Sequence, residues 1–383
     1  MDQLGRQNAV EWLALAVKTS YTAVMRGSLI LPAVTLLLAS AANAAPCSTT
    51  TPECTEWVTV GGQSPRVLVY RSFPLETRNE AITRALLVVH GGGRDANVQF
   101  RVALGAAYLA GALDDTILVS PRFASNSGMR PNTGGAECRD SIAPQEAEWV
   151  CDERSVSWRF GGPAAGATVT TYDFVDEILR KLARKDMFPN LKTIVVAGHS
   201  GGGMFVSRYQ MSSKVHDKLG VTITYVSANP TSLAYLDAIR PTSAAYPVNA
   251  AGPGYILPPP SEAFTAFADA GKCPAYNSWP YGPQNRDGYT APLSDVELKK
   301  QLAARPLTYL LGDLDILPLA GFDGSCQAMS QGPTRMARGL AFVKYVNEKL
   351  GAQHKVVIVP LCGHNTRCMF TADSALAALF PKQ

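Results

Sequence analysis

The chain has 383 residues, 46% hydrophobic and 17% charged, a balance that excludes a disordered polymer and allows a large core without metals or crosslinks. Its 35 basic and 31 acidic residues leave a formal net charge of +4 with no basic cluster, so nothing points to nucleic acid as a partner. Length alone permits one large domain or two medium ones.

Residues 1–24 show no recognisable pattern. Met25-Arg26 then precedes an apolar run, Leu29 to Leu38, and the small residues Ala42-Asn43-Ala44. A charged start, an apolar stretch and an A-x-A site make a signal peptide, with cleavage expected after Ala44 and Met25 a candidate initiator. The run is short for a membrane span and contains Pro32, so no stable anchor is expected after cleavage. This predicts a secreted or periplasmic protein. Residues 1–44 are an N-terminal extension and signal peptide, and 45–383 are one domain.

Glu56–Val60 and Arg66–Tyr70, separated by Gly61-Gly62, read as an antiparallel hairpin at a sheet edge. Six apolar runs then have strand character: Ala85–His90, Thr116–Ser120, Lys192–Gly198, Val221–Val226, Leu307–Gly312 and Lys355–Pro360. They are nearly continuous and rich in Val, Ile and Leu, as strands buried on both faces of a parallel sheet are. Helical spacing lies between them. Tyr172–Lys185 puts Phe174, Val175, Ile178, Leu179 and Leu182 on one face, a helix is expected over Gly203–Ser213, and Arg335–Leu350 ends at Gly351 as C-cap. The alternation predicts an α/β fold with a mostly parallel central sheet and helices on both faces. Two segments interrupt it, at about 123–166 and 230–293. Both follow strands and read as loops or a cap over the site, or as surface loops pinned by disulfides. Trp158, Phe205 and Trp279 are candidates for pocket lining and equally for core.

Eight cysteines allow roughly a hundred pairings. Proximity suggests Cys47–Cys54, Cys138–Cys151 and Cys362–Cys368, which leaves Cys273–Cys326. No C-x-x-C occurs and zinc-ligand spacings are absent, so no metal is expected.

The strongest chemical signal is Gly198-His199-Ser200-Gly201-Gly202 after a β-branched run. This is G-x-S-x-G, a sharp strand-to-helix turn that presents a serine; small neighbours relieve its crowding, and the following helix aims its N-terminal dipole at the hydroxyl. A serine needs a base. Among His90, His199, His216, His354 and His364, only His364 follows the last strand, where that base belongs; His216 and His354 read as surface positions. A carboxylate should orient the imidazole from the preceding strand's end. Gly312-Asp313-Leu314-Asp315 offers two. Asp315 is preferred, Asp313 is the alternative and Asp323 a remote third. His90-Gly91-Gly92-Gly93 matches a loop that supplies oxyanion-binding N–H groups, with Gly92 and Gly201 as the expected donors. It lacks the lysine and Ser/Thr of a phosphate loop.

HGGG at 90–93, GHSGG at 198–202, GDLD at 312–315 and GH at 363–364 occur in the order seen in the α/β-hydrolase superfamily, which the chain resembles from about residue 56 to residue 380. More narrowly, GHSGGG, VSANP at 226–230 and GHNTRCMF at 363–370 resemble a group of secreted bacterial and fungal hydrolases. The resemblance implies a serine esterase that needs no cofactor and acts on a small-molecule or polymeric ester, such as a polyester or an acylated plant polysaccharide. A peptidase or amidase on the same triad, and a non-catalytic binding protein on the same scaffold, are the alternatives. Oligomeric state is left open.

Overall fold

The structure, a computed structural model, describes residues 45–126, 128–129, 137–150, 157–242, 263–319 and 321–382; the expected signal peptide lies outside them. Eight strands form one sheet: β1 (Thr55–Val60), β2 (Gln63–Arg71), β3 (Arg84–Val89), β4 (Thr116–Pro121), β5 (Thr193–His199), β6 (Thr222–Ala228), β7 (Leu307–Gly312) and β8 (Lys355–Val359). Their spatial order is β1-β2-β4-β3-β5-β6-β7-β8. β1 and β2 make the expected hairpin and β2 meets β4 antiparallel. From β4 to β8 every pairing is parallel.

The continuous apolar runs have a simple cause: both faces of the sheet are covered. In β3, Ala85, Leu87 and Val89 enter one core cluster while Leu86 and Val88 enter the other; in β5, Ile194 and Val196 oppose Val195 and Ala197. Helices α2 (Thr171–Leu182), α3 (Gly201–Ser212), α4 (Asp295–Ala304) and α6 (Arg335–Leu350) pack on the first face, with α5 (Cys326–Met329) a single turn before α6. Helices α1 (Ala96–Leu109), α7 (Thr366–Thr371) and α8 (Asp373–Leu379) cover the second. A capping box between Thr170 and Asp173 starts α2, which ends earlier than its spacing suggests. Gly351 closes α6 in the left-handed conformation, φ 68°.

Helices α1, α4, α5, α7 and α8 are additions to the expected set. In α1, Gly105 and the exposed Tyr108 and Leu109 blur the apolar stripe. α4 buries only Leu298 and Leu302, but its Ser294/Glu297 capping box is a signal in the sequence. The histidine reading needs correction. His354 is buried, its Nε2 2.8 Å from the Leu302 carbonyl oxygen, and His216 is half-buried, its Nδ1 3.0 Å from the Tyr225 hydroxyl. Polar sequence neighbours hid both contacts, which come from distant strands and helices.

The two interrupting segments send aromatic side chains into the core. Phe123, Trp149, Trp158 and Phe160 from the first, with Phe205 of α3, and Trp279 and Tyr289 from the second all belong to the larger cluster. Their described parts carry short strand pairs, Gly128–Met129 with Glu137–Cys138 and Ile239–Pro241 with Phe264–Ala266, and single 3-10 turns at Trp158–Phe160 and Gly288–Thr290. Disulfides Cys47–Cys54, Cys273–Cys326 and Cys362–Cys368 form. Cys138 is disulfide-bonded, while Cys151 lies outside the described residues.

Backbone packs closely between the first turn of α3 and the strand ends. A Cβ on Gly202 would fall 2.2 Å from the Val89 carbonyl oxygen, one on Gly198 2.4 Å from that of Gly202, and one on Gly203 2.6 Å from that of Ala228. These are backbone atoms and cannot swing aside. Gly202→Ala is therefore expected to destabilise the protein by about 3 kcal/mol or more, read as a lowered midpoint in denaturant unfolding.

Candidate active site

Ser200 stands between β5 and α3 with φ 58° and ψ −117°, a conformation few non-glycine residues adopt. The surroundings enforce it. The Ser200 N–H donates to the Ala228 carbonyl at 2.9 Å, and its own carbonyl accepts from the Met204 N–H at 2.9 Å. The hydroxyl is thus lifted clear of the strand end at the N-terminus of α3, the positive end of the helix dipole.

The turns after β7 and β8 are laced together. The Asp313 N–H donates to the Val359 carbonyl and the Leu314 N–H to that of Cys362, at 3.2 and 3.1 Å. Cys362–Cys368 and the Asn365 cap of α7 hold the second turn. Between them His364 bridges the other two residues: its Nε2 is 2.8 Å from Ser200 Oγ and its Nδ1 2.7 Å from Asp315 Oδ2. Asp315 is buried; its Oδ1 accepts from Arg335 Nη1 at 3.1 Å. No hydrogen bond joins Asp313 to His364, and its Oδ1 has no partner among the described residues. Asp323 instead accepts from the Tyr281 hydroxyl at 2.7 Å.

The 90–93 loop lies against this turn. A Cβ on Gly91 would be 3.6 Å from Ser200 Cβ, and the Gly92 nitrogen is 3.2 Å from the Cβ position at Gly201. The two expected oxyanion donors are therefore neighbours beside Ser200. Arg94 Nη1 donates to the Gly92 carbonyl at 2.9 Å and Arg94 is paired with Asp140. His90 is fully buried: its Nε2 accepts from the Phe123 N–H at 3.0 Å, which leaves Nδ1 to donate to the Gly91 carbonyl at 2.9 Å. Burial, the main cause, lowers its pKa to about 4.

Several residues at the site escaped the sequence reading. His199 stacks on His364 with ring centroids 4.6 Å apart, and its Nδ1 is 2.9 Å from Thr366 Oγ1. Burial, then the His364 and Arg335 charges, holds its pKa well below the usual histidine range. Asn229, wholly buried at φ 41°, accepts from the Gly312 N–H at 2.9 Å and donates to the Gly363 carbonyl at 3.2 Å, so it ties the ends of β6, β7 and the His364 turn. The only advance signal for it was VSANP. Arg159 sets its Nε 3.0 Å from the Cβ position at Gly201. Among the described residues no group of three or more His, Cys, Asp or Glu is placed to hold a metal ion, and no helix is long and apolar enough to cross a membrane.

No family model and no curated protein sequence matches the chain. Solved structures do. Poly(aspartic acid) hydrolase-1 from Sphingomonas sp. KT-1 superposes with a TM-score of 0.50 at 19% identity, over 82% of this chain and 94% of its own. The poly(3-hydroxybutyrate) depolymerase LpqC from Bordetella parapertussis gives 0.50 at 18% identity, over 83% and 89%. The chain has the α/β-hydrolase fold. In this fold, Ser200 follows the central strand β5, and the 90–93 loop follows its neighbour β3.

The buried histidines set a pH dependence of stability. Below about pH 6.5 the unfolded chain binds a proton at His90 that the folded chain refuses until about pH 4. Stability is thus complete above pH 6.5 and falls through that window, by on the order of 3 kcal/mol for His90 alone. His199, His216 and His354 are shifted the same way and steepen the loss. Thermal unfolding from pH 7 to pH 4.5 is expected to show a falling Tm, with a shallower slope in His90→Gln.

Proposed function

We propose that the protein is a secreted serine hydrolase that cleaves carboxylic esters through an acyl-enzyme. The observation that carries the reading is the imidazole of His364, hydrogen-bonded at once to Ser200 and to buried Asp315. In this mechanism His364 Nε2 takes the Ser200 proton as Oγ attacks the carbonyl carbon, while Asp315 fixes the tautomer and stabilises the imidazolium. The tetrahedral oxyanion is bound by the Gly92 and Gly201 N–H groups at the start of α3. Collapse expels the alcohol, which takes its proton from His364. Water then attacks the acyl-enzyme by the same route and the acid leaves, restoring Ser200.

The strained φ of Ser200 supports catalysis over a purely structural turn, since backbone strain of this kind persists where it serves a site. The two solved neighbours are named as hydrolases of polymers, which favours a polymeric or oligomeric substrate here. Three disulfides fit an oxidising compartment. On this reading residues 1–44 are removed, 45–383 form the working domain, and the segments at about 123–166 and 230–293 frame the substrate.

The test is hydrolysis of a p-nitrophenyl acyl series by the chain from Ala45 onward. Ser200→Ala, His364→Ala and Asp315→Asn are expected to lose roughly 10⁴-fold in kcat or more. Asp313→Asn is expected to stay near native. The chain-length preference then sizes the acyl site. No turnover of any ester by folded protein would turn the search to peptides and amides.

A further inference from the structure

Arg335 opens α6 and is buried with its carboxylate partner; the side chains of Arg335 and Asp315 are 0% and 2% exposed. One oxygen of Asp315 accepts from this cation and the other faces His364. Acyl transfer as outlined above does not require the cation. Burying a guanidinium costs several kcal/mol before pairing, and apolar packing of similar volume holds a turn equally well. A buried arginine on the triad acid therefore calls for a reason beyond packing.

We infer that Arg335 is a positioning residue that, by sharing the Asp315 carboxylate, keeps His364 in its neutral, base-competent form in acidic media. The inference rests on the triad reading above. A carboxylate paired with imidazole alone favours the imidazolium, which cannot accept the Ser200 proton. A fixed cation on the second carboxylate oxygen offsets part of that field, and the step belongs to the coupled dyad. The guanidinium is held in place: Nε reaches Thr231 Oγ1 and Nη2 the Leu319 carbonyl, both at 3.4 Å, and Phe322 lies 5.4 Å away ring to cation. Other charged or titratable groups face the dyad without bonding Asp315. Arg338, further along α6, lies 4.5 Å from the Phe322 ring centroid and feels the charge of Asp323. Asp313 lies in the β7 turn. His199, from the serine turn, stays neutral through burial.

The experiment is the pH profile of kcat/KM on a p-nitrophenyl ester for native protein, Arg335→Met, Arg335→Gln and Arg335→Lys, with folding checked by circular dichroism. The acid limb reports the free enzyme's base. Both neutral variants are expected to move it up by about one pH unit, a roughly tenfold greater relative loss on the acid side, with KM little changed. Arg335→Lys keeps the charge and should keep the native limb. A merely structural role would lower stability or kcat and leave the limb in place. An unmoved limb in folded Met or Gln variants, or an equal shift in the Lys variant, overturns the inference. If the neutral variants do not fold, the comparison is repeated on residual activity in Asp315→Asn, where removing the cation leaves no unpaired buried charge: adding Arg335→Met is again expected to raise the acid limb, and an unmoved limb overturns the inference. Full activity in Ser200→Ala, or no hydrolysis by native protein, instead sinks the hydrolase reading, and this inference with it.

Discussion

The contact between Gly202 and the Val89 carbonyl brings the start of α3 against the ends of β3 and β5. No residue with a Cβ can make it. Because the helix starts that close, the chain must turn within one residue, and Ser200 takes up the strain. The same approach sets the 90–93 loop beside Gly201, so the proposed nucleophile and the proposed oxyanion donors are fixed by one piece of backbone packing.

The rest of the site is registered on that piece. Ser200 is tied to the end of β6 through Ala228, and Asn229, the next residue, binds both Gly312 and Gly363. The ends of β7 and β8, which carry Asp315 and His364, are thereby linked through one buried amide, and the adjoining Ala228 carbonyl ties in Ser200 at the end of β5. The Cys362–Cys368 disulfide and the backbone bonds from Asp313 and Leu314 limit what the His364 turn can do. Pre-organisation of this kind is what general-base catalysis needs, since small displacements of the imidazole cost large factors in rate.

Local signals were legible wherever one element carried its own pattern. The parallel sheet could be read because both faces of β3 and β5 are covered, which makes their runs uninterrupted. The strand-to-helix turn at Ser200 could be read from its glycines, and the position of His364 after the last strand from the order of the apolar runs. Asp315 was preferred over Asp313 for its distance beyond Gly312, though both follow that glycine; which of them meets His364 depends on the carboxylate the turn directs inward, and that is Asp315. Arg335, His199 and Asn229 were missed for a related reason. Their partners lie on other elements, and nothing in an arginine opening an amphipathic helix announces a carboxylate 20 positions back. α1 was missed because its stripe is diluted, and His354 because its covering comes from α4.

The central claim is that Ser200 is an activated nucleophile. Intact-mass and peptide analysis after treatment with a fluorophosphonate tests it without assuming a substrate. A single adduct on Ser200, absent in Ser200→Ala and strongly slowed in His364→Ala, is the result expected. A folded native sample that stays unlabelled, or one labelled as fast without His364, would contradict it.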